Sequence, residues 1–384
     1  MKGYLDRVGM HSIAGWAYDE SNLDLTLTAW VNGAAVASFP PSLVRPDITH
    51  LSRNNVGFEV TLAKALTPTD VVGVTNERGD HLSRSPRKAL LSDWTKEEKA
   101  LCFISRDMKI LEVGPGYSPL TPRSKGWNSF SLDHATKEEL EAKYRGHQPI
   151  ALVEPVDYVW RGGPLEAVIP SENRNSFDAV IASHVIEHLP NPIAFFLFAT
   201  SVLKPGGLVS LVIPDKRFSF DFFKPLTMTS DYLCAHDARR TRHSKKTAFD
   251  YMAYNVSESG QIGWSTRLVG DFSFNCVDED QLMAAKRRFD NTIEDESGPY
   301  VDYHATIYTP SSFALIIFEL GQLGVLPFHI EHSFPTSGCE FYATLRHRTP
   351  ERLPLNRIQE ERIRLMKEMV RETSQQGRWL LDEA

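Results

Sequence analysis

The run Lys109-Ile110-Leu111-Glu112-Val113-Gly114-Pro115-Gly116 constrains the fold of this 384-residue chain more than any other stretch. It reads as a buried strand that carries one acid and opens into a Gly-x-Gly turn. Glycines there let the backbone approach a ligand where side chains would clash. Gly-x-Gly also occurs in ordinary tight turns, so the segments that follow decide its meaning. Ser131-Leu132-Asp133 closes a second short strand on an acid about twenty residues later, the spacing at which an acid meets ribose hydroxyls. Phe177-Asp178-Ala179-Val180-Ile181-Ala182-Ser183-His184 then reads as a buried central strand. Residues 191–203 are apolar nearly all round, as in a packed helix, and Lys204-Pro205-Gly206-Gly207 stops them before a strand at 208–213. Alternation of this kind predicts a parallel sheet with helices on both faces.

The rest of the chain divides around this core. Residues 1–88 read as an all-β module, a small β-sandwich. Leu23, Leu25, Leu27, Ala29 and Val31 alternate with polar neighbours, and Asn32-Gly33 marks a hairpin. A polar stretch at 81–88 separates that module from a second domain at 92–348, which a helix-like run at 94–105 opens. Residues 231–300 lack clear periodicity, and a stretch this long in this position is expected to cover the active site. A helix at 312–323 and strands at 328–334 and 340–346 follow. The tail at 349–384 contains an amphipathic helix. Leu355, Ile358, Ile363, Leu365, Met366, Met369 and Val370 share one arc of it, a surface for a second copy or a protein partner.

Composition removes several function classes. A net charge of −7 argues against a nucleic-acid surface. The local basic run Arg239-Arg240-Thr241-Arg242-His243-Ser244-Lys245-Lys246 reads as a solvated face or loop. The four cysteines (Cys102, Cys234, Cys276, Cys339) form no Cys-x-x-Cys pair, so no metal site is expected from them. They fit the free thiols of a reducing compartment. No secretory pattern and no eighteen-residue apolar window occurs, so the chain is expected in the cytoplasm, with any contact to the inner membrane peripheral.

The strand-turn-acid element resembles the class I S-adenosylmethionine-dependent methyltransferases. That resemblance implies a Rossmann-like α/β fold with a mixed seven-stranded sheet, and S-adenosyl-L-methionine as cofactor. Glu112 stands where the family has the acid of the first strand, Gly114 and Gly116 match the turn glycines, and Asp133 matches the ribose-binding acid. The family's third glycine is absent, and Pro119 and Pro122 interrupt the helix expected after the turn. His134 reads either as an adenine neighbour or as an exposed residue. Asp157, after the apolar stretch Ile150-Ala151-Leu152-Val153, reads either as an adenine-side acid or as a turn residue. Ser183-His184-Val185-Ile186-Glu187-His188, Pro214-Asp215-Lys216-Arg217 and Tyr303-His304 are similar to a bacterial polysaccharide-biosynthesis group. Gly15-Trp16-Ala17-Tyr18-Asp19, Arg45-Pro46-Asp47 and Gly57-Phe58 resemble β-modules attached to such enzymes.

Ligands of open parallel sheets bind at the carboxyl ends of strands, so Ser183, His184 and His188 are expected to face cofactor and acceptor. Methyl transfer to a hydroxyl needs a base, and His304, His188 and His184 are the candidates, in that order. Lys216, Arg217 and Asp221 read as acceptor ligands or as a structural ion-pair cluster. The expected function is O-methylation of a sugar in a cell-surface polysaccharide or its precursor. The alternatives are a glycan-binding scaffold on a retired fold, and a methyltransferase for a small metabolite or a protein side chain. Trp30 reads as an exposed sugar platform or as a buried core residue.

Overall fold

The computed structural model describes residues 1–89, 93–146, 152–163, 165–265, 271–275 and 280–381. The domain start at Ser92, the apolar pair Ile150-Ala151 and Cys276 lie outside the described residues. The chain forms two compact units, Met1–Ser105 and Arg106–Ala384.

The first unit holds β1 (Lys2–Val8), β2 (Ser12–Tyr18), β3 (Leu27–Val31), β4 (Ala34–Phe39), β5 (Leu43–Val44), β6 (Asn55–Thr61), β7 (Val71–Asn76), β8 (Arg87–Lys88) and α1 (Lys96–Ala100). The strands make two four-stranded antiparallel sheets, ordered β1-β2-β6-β5 and β4-β3-β7-β8. Leu27 and Ala29 are buried at alternate positions of β3, and the turn into β4 takes the left-handed backbone at Asn32 and Gly33 that a two-residue hairpin requires. Trp30 is half-buried, and its indole N–H donates to Thr75 Oγ1 at 2.9 Å. The stretch at 81–88 is no linker: β8 pairs with β7, and Trp94 donates to the Val8 carbonyl at 3.2 Å. The boundary therefore falls at 105, later than composition suggests. The helix expected over 94–105 shrinks to α1. A Thr95–Glu98 capping box starts it, and the positive φ of Phe103 turns the chain just beyond its end.

The second unit is an α/β layer structure. Its elements are β9 (Ile110–Val113), β10 (Ser129–Asp133), α2 (Lys137–Lys143), β11 (Tyr158–Val159), β12 (Phe177–Ser183), α3 (Pro192–Val202), β13 (Leu203–Pro214), α4 (Thr229–Asp237), α5 (Lys245–Tyr254), β14 (Val256–Glu258), β15 (Phe272–Phe274), α6 (Gln281–Asn291), α7 (Pro310–Gln322), β16 (Phe328–Ser337), β17 (Glu340–His347) and α8 (Leu355–Leu381). The seven-stranded sheet runs β11-β10-β9-β12-β13-β17-β16, with β9 to β13 parallel and β17 antiparallel to both its neighbours. This is the class I methyltransferase fold. All four residues of β9 are buried, as strands covered on both faces must be. Strand order reverses between β9 and β12, which opens a crevice at their carboxyl ends.

Two expectations change here. Residues 231–300 hold α4, α5, a β14–β15 hairpin and α6 rather than unpatterned chain. On α8 only part of the apolar arc is covered: Leu365 and Met369 pack with Leu315, while Leu355, Ile363 and Val370 stay exposed. Among the described residues no helix is long and apolar enough to cross a membrane.

Candidate active site

The turn after β9 is bent back by its own strand. Gly114 and Gly116 have φ of +66° and +54°, in the region where side chains are strained. A Cβ on Gly114 would stand 2.9 Å from the Val185 side chain. No helix follows: the two prolines give turns and a single short 3-10 turn at Arg123–Lys125. Glu112 replaces that helix as the organiser. Its buried carboxylate accepts from the Leu120 and Thr121 amides at 2.7 and 3.0 Å and from the Thr121 hydroxyl at 2.7 Å. Burial raises its pKa, and those three donors offset only part of the rise. Glu112 therefore sits under the loop and does not line the crevice.

The crevice is a cavity of about 660 Å³, within the roughly 300–1,000 Å³ typical of small-ligand sites. Gly114, Gly116, Asp133 and His134 form one wall, and His184, Val185 and His188 another. Tyr144, Trp160, Arg242, Tyr300 and Asp302 complete it, and the sequence reading singled out none of them for the site. Arg242 corrects the solvated reading of the basic run: its guanidinium donates to the Gly298 carbonyl at 2.8 Å and faces the cavity. Asp133 is almost fully buried. It accepts from the Gly116 amide at 3.1 Å and the His134 amide at 2.7 Å, with the His134 ring 2.6 Å away. A carboxylate has about four acceptor sites and these contacts take three, so one remains, on Oδ2, for a ligand hydroxyl. The glycine turn, the carboxylate and the cavity size fit a nucleoside with an amino-acid tail.

After β12 the chain turns sharply at His184, whose φ is +54°. Its Nε2 meets Glu340 Oε2 at 2.7 Å and its Nδ1 lies 3.4 Å from Glu187 Oε1. Burial pulls His184 down, but Glu187 and Glu340 outweigh it and push the ring up to about 9. His188 Nδ1 stands 2.8 Å from Asp302. His304 arrives from the distant 300–308 segment, which the Ala305 and Thr306 amides lace to the Glu187 carbonyl at 2.7 and 3.2 Å. Its Nδ1 meets Asp221 at 2.5 Å, and its ring lies edge-on to His188 at 4.5 Å. Burial raises Asp221, yet His304 and Lys224 hold it down to about 2. His304 lines a second cavity of about 280 Å³, together with Lys224, Arg240, His243, Lys246 and Asp250. His188 on the first cavity and His304 on the second thus meet edge to edge, with His184 on the first cavity beside them.

The other expected site residues line neither cavity. Ser183 ends β12 beside the turn. Asp157 accepts from the Ser131 amide at 2.8 Å and from Arg123 at 3.0 Å. Arg217 forks onto Asp215, which is fully buried, and also donates to Thr336 and Gln375. Lys216 is buried beside it, and burial lowers its ammonium to about 8. The ion-pair reading of Arg217 and Asp221 is the one the geometry matches.

Residues 84–264 match a family model described as a methyltransferase domain. The chain carries an S-adenosylmethionine-dependent methyltransferase domain. It is 34% identical over 112 residues to the mitochondrial ubiquinone biosynthesis O-methyltransferase of Rattus norvegicus, covering 28% of this chain and 31% of that protein. It is also 34% identical over 103 residues to a ubiquinone biosynthesis O-methyltransferase of Paramagnetospirillum magneticum, covering 26% and 38%. The match therefore spans about a third of the length of these relatives. Among solved structures, a SAM-dependent methyltransferase from Methanosarcina mazei aligns over 64% of this chain and 95% of its own, at 12% identity and a TM-score of 0.32.

Proposed function

We propose that the protein is an O-methyltransferase whose acceptor is a sugar hydroxyl of a cell-surface polysaccharide or its precursor. When bound, S-adenosylmethionine supplies a methyl group on a sulfonium that leaves readily. The chain's own tasks are to align the acceptor with that methyl and to draw off the hydroxyl proton. In this reading Gly114 and Gly116 hold the amino-acid part of the cofactor and Asp133 the ribose. Glu112, Asp157 and Ser183 act from behind, by fixing the loop and strand ends.

The observation that carries the reading is the histidine cluster between the cavities. His184 and His188 border the cofactor side and His304 the smaller cavity, where Lys224, Arg240 and His243 supply polar contacts for an acceptor. Asp221 orients His304 rather than binding the acceptor itself. The relatives' names favour an oxygen acceptor. The sugar and its bacterial polysaccharide setting rest on the short motifs of residues 1–88 and of the histidine segment. Such an acceptor places the protein in the cytoplasm, beside the inner membrane where precursors are assembled.

The test is mass spectrometry of surface glycans from cells with and without the protein. Loss of one methyl group from a defined sugar is the expected result, and an unchanged glycan would contradict it. A second reading, a small-metabolite hydroxyl, is favoured by the relatives' assignment to ubiquinone biosynthesis. Under that reading the glycans are unchanged and a methylated metabolite disappears instead.

A further inference from the structure

Glu187 is fully buried, and among the described residues neither of its carboxylate oxygens has a hydrogen-bond partner. The contrast with Glu112, equally buried and satisfied by three donors, is sharp. The rings of His184 and His188 stand 3.4 and 3.8 Å from Oε1, beyond good hydrogen-bonding range. The neighbouring His184, pushed up by Glu187 and Glu340, lends it positive charge, but with no short hydrogen bond to either oxygen the buried carboxylate still has room for a further cation.

The surroundings are arranged for such a charge. One ligating atom from each of Glu187, His188 and His304 lies within 4.8 Å of the other two. Both histidines have Nδ1 near a carboxylate: His304 hydrogen-bonds Asp221 at 2.5 Å, and His188 stands 2.8 Å from Asp302 as an ion-pair contact without hydrogen-bond alignment. That leaves Nε2 of each ring to bind, and His188 Nε2 already points toward Glu187. Carboxylates hold metal-ligating histidines in this way, fixing the tautomer and the ring orientation. Backbone hydrogen bonds from Ala305 and Thr306 to the Glu187 carbonyl keep the two distant segments together.

We infer that Glu187, His188 and His304 bind a divalent cation of the zinc class between the two cavities. Two imidazoles and one carboxylate suit zinc or a similar transition metal, whereas magnesium and calcium want oxygen ligands. Three protein ligands leave a position open, as in catalytic rather than structural sites. The role of the cation rests on the hydroxyl-acceptor reading above. Next to the acceptor it lowers the hydroxyl pKa, so the proton passes to solvent. The oxygen's electron pair forms the new bond to the methyl carbon while the carbon–sulfur bond breaks and its pair stays on sulfur. His188 and His304 then act on the hydroxyl through the cation.

The test titrates zinc chloride, then cobalt chloride, into the full-length protein after chelation, with S-adenosylmethionine binding measured on the same samples. One equivalent of zinc should bind, and cobalt should give the visible absorption of a four-coordinate site. Glu187→Gln and His304→Ala should each abolish both signals. Asp302→Asn, at a more exposed position, should weaken zinc by about 10- to 100-fold while leaving the fold intact by circular dichroism. A protein that binds S-adenosylmethionine but no zinc would overturn the cation and leave the methyltransferase reading standing. Zinc binding unchanged in the folded Glu187→Gln and His304→Ala proteins, or magnesium bound in preference to zinc, would overturn the site. Zinc bound without S-adenosylmethionine would support the site and count against the methyl-transfer reading.

Discussion

Asp133 links the glycine turn to the second strand, and its contacts make it the residue most exposed to test. Asp133→Ala removes an acceptor from the Gly116 and His134 amides, and with it the proposed ribose contact. Cofactor affinity should fall by roughly 1.5–3 kcal/mol, the scale of hydrogen bonds to a charged group, measured by calorimetry. His304→Ala should behave differently. His304 lies on the smaller cavity, so cofactor affinity should hold while turnover falls by about two to four powers of ten. Parallel binding and rate measurements check the split, and full turnover would remove His304 from the chemistry. Arg217→Ala should cost stability and not acceptor affinity. It leaves the buried Asp215 without its ion-pair partner, a loss of about 3–5 kcal/mol in chemical denaturation. The sequence displayed Arg217 and Asp221 as charges after a strand, but it could not show that each is matched inside the fold. The same blindness hid Asp302 and Tyr300, whose place on the cavity depends on a segment more than a hundred residues from the turn.

Among the elements, those with strong local signals were legible. β9 and β13 are apolar runs ended by glycine or proline, β12 is an apolar run with a single acid, and α7 has proline at its start. The segment from α4 to α6 was not legible. α5 fully buries only Ala248 and Ala253, while Phe249 and Tyr251 pack half-buried against Phe289 and Tyr303, so no buried apolar stripe marks it in the sequence. The loop after β9 was half legible: its prolines excluded a helix, but nothing in the spacing showed Glu112 gripping it from below. Glu112→Ala would leave three donors unsatisfied. Unfolding free energy should drop by about 1–3 kcal/mol, and cofactor affinity should weaken although Glu112 never reaches the cavity. Calorimetry and denaturant titration of one variant test both effects, and unchanged values in both would remove Glu112 as the loop's anchor.

At the scale of the whole molecule, the chain passes from the first unit to the second between Ser105 and Arg106, later than the polar stretch suggested, because β8 and α1 belong to the first unit. A fragment beginning at Arg106 should fold and bind cofactor like the full chain. A folded fragment that fails to bind would show that the first unit contributes to the site. The central claim is that the crevice between the glycine turn and Asp133 serves S-adenosylmethionine. A glycine turn with an acid about twenty residues on also suits dinucleotides, so ligand identity is the decisive point. The most direct measurement is calorimetric titration of the full-length protein with S-adenosylmethionine, S-adenosylhomocysteine and NAD in turn. Saturable one-to-one binding of the first two, each displacing the other, with none for NAD, is the expected result. Binding of NAD without S-adenosylmethionine would contradict the account.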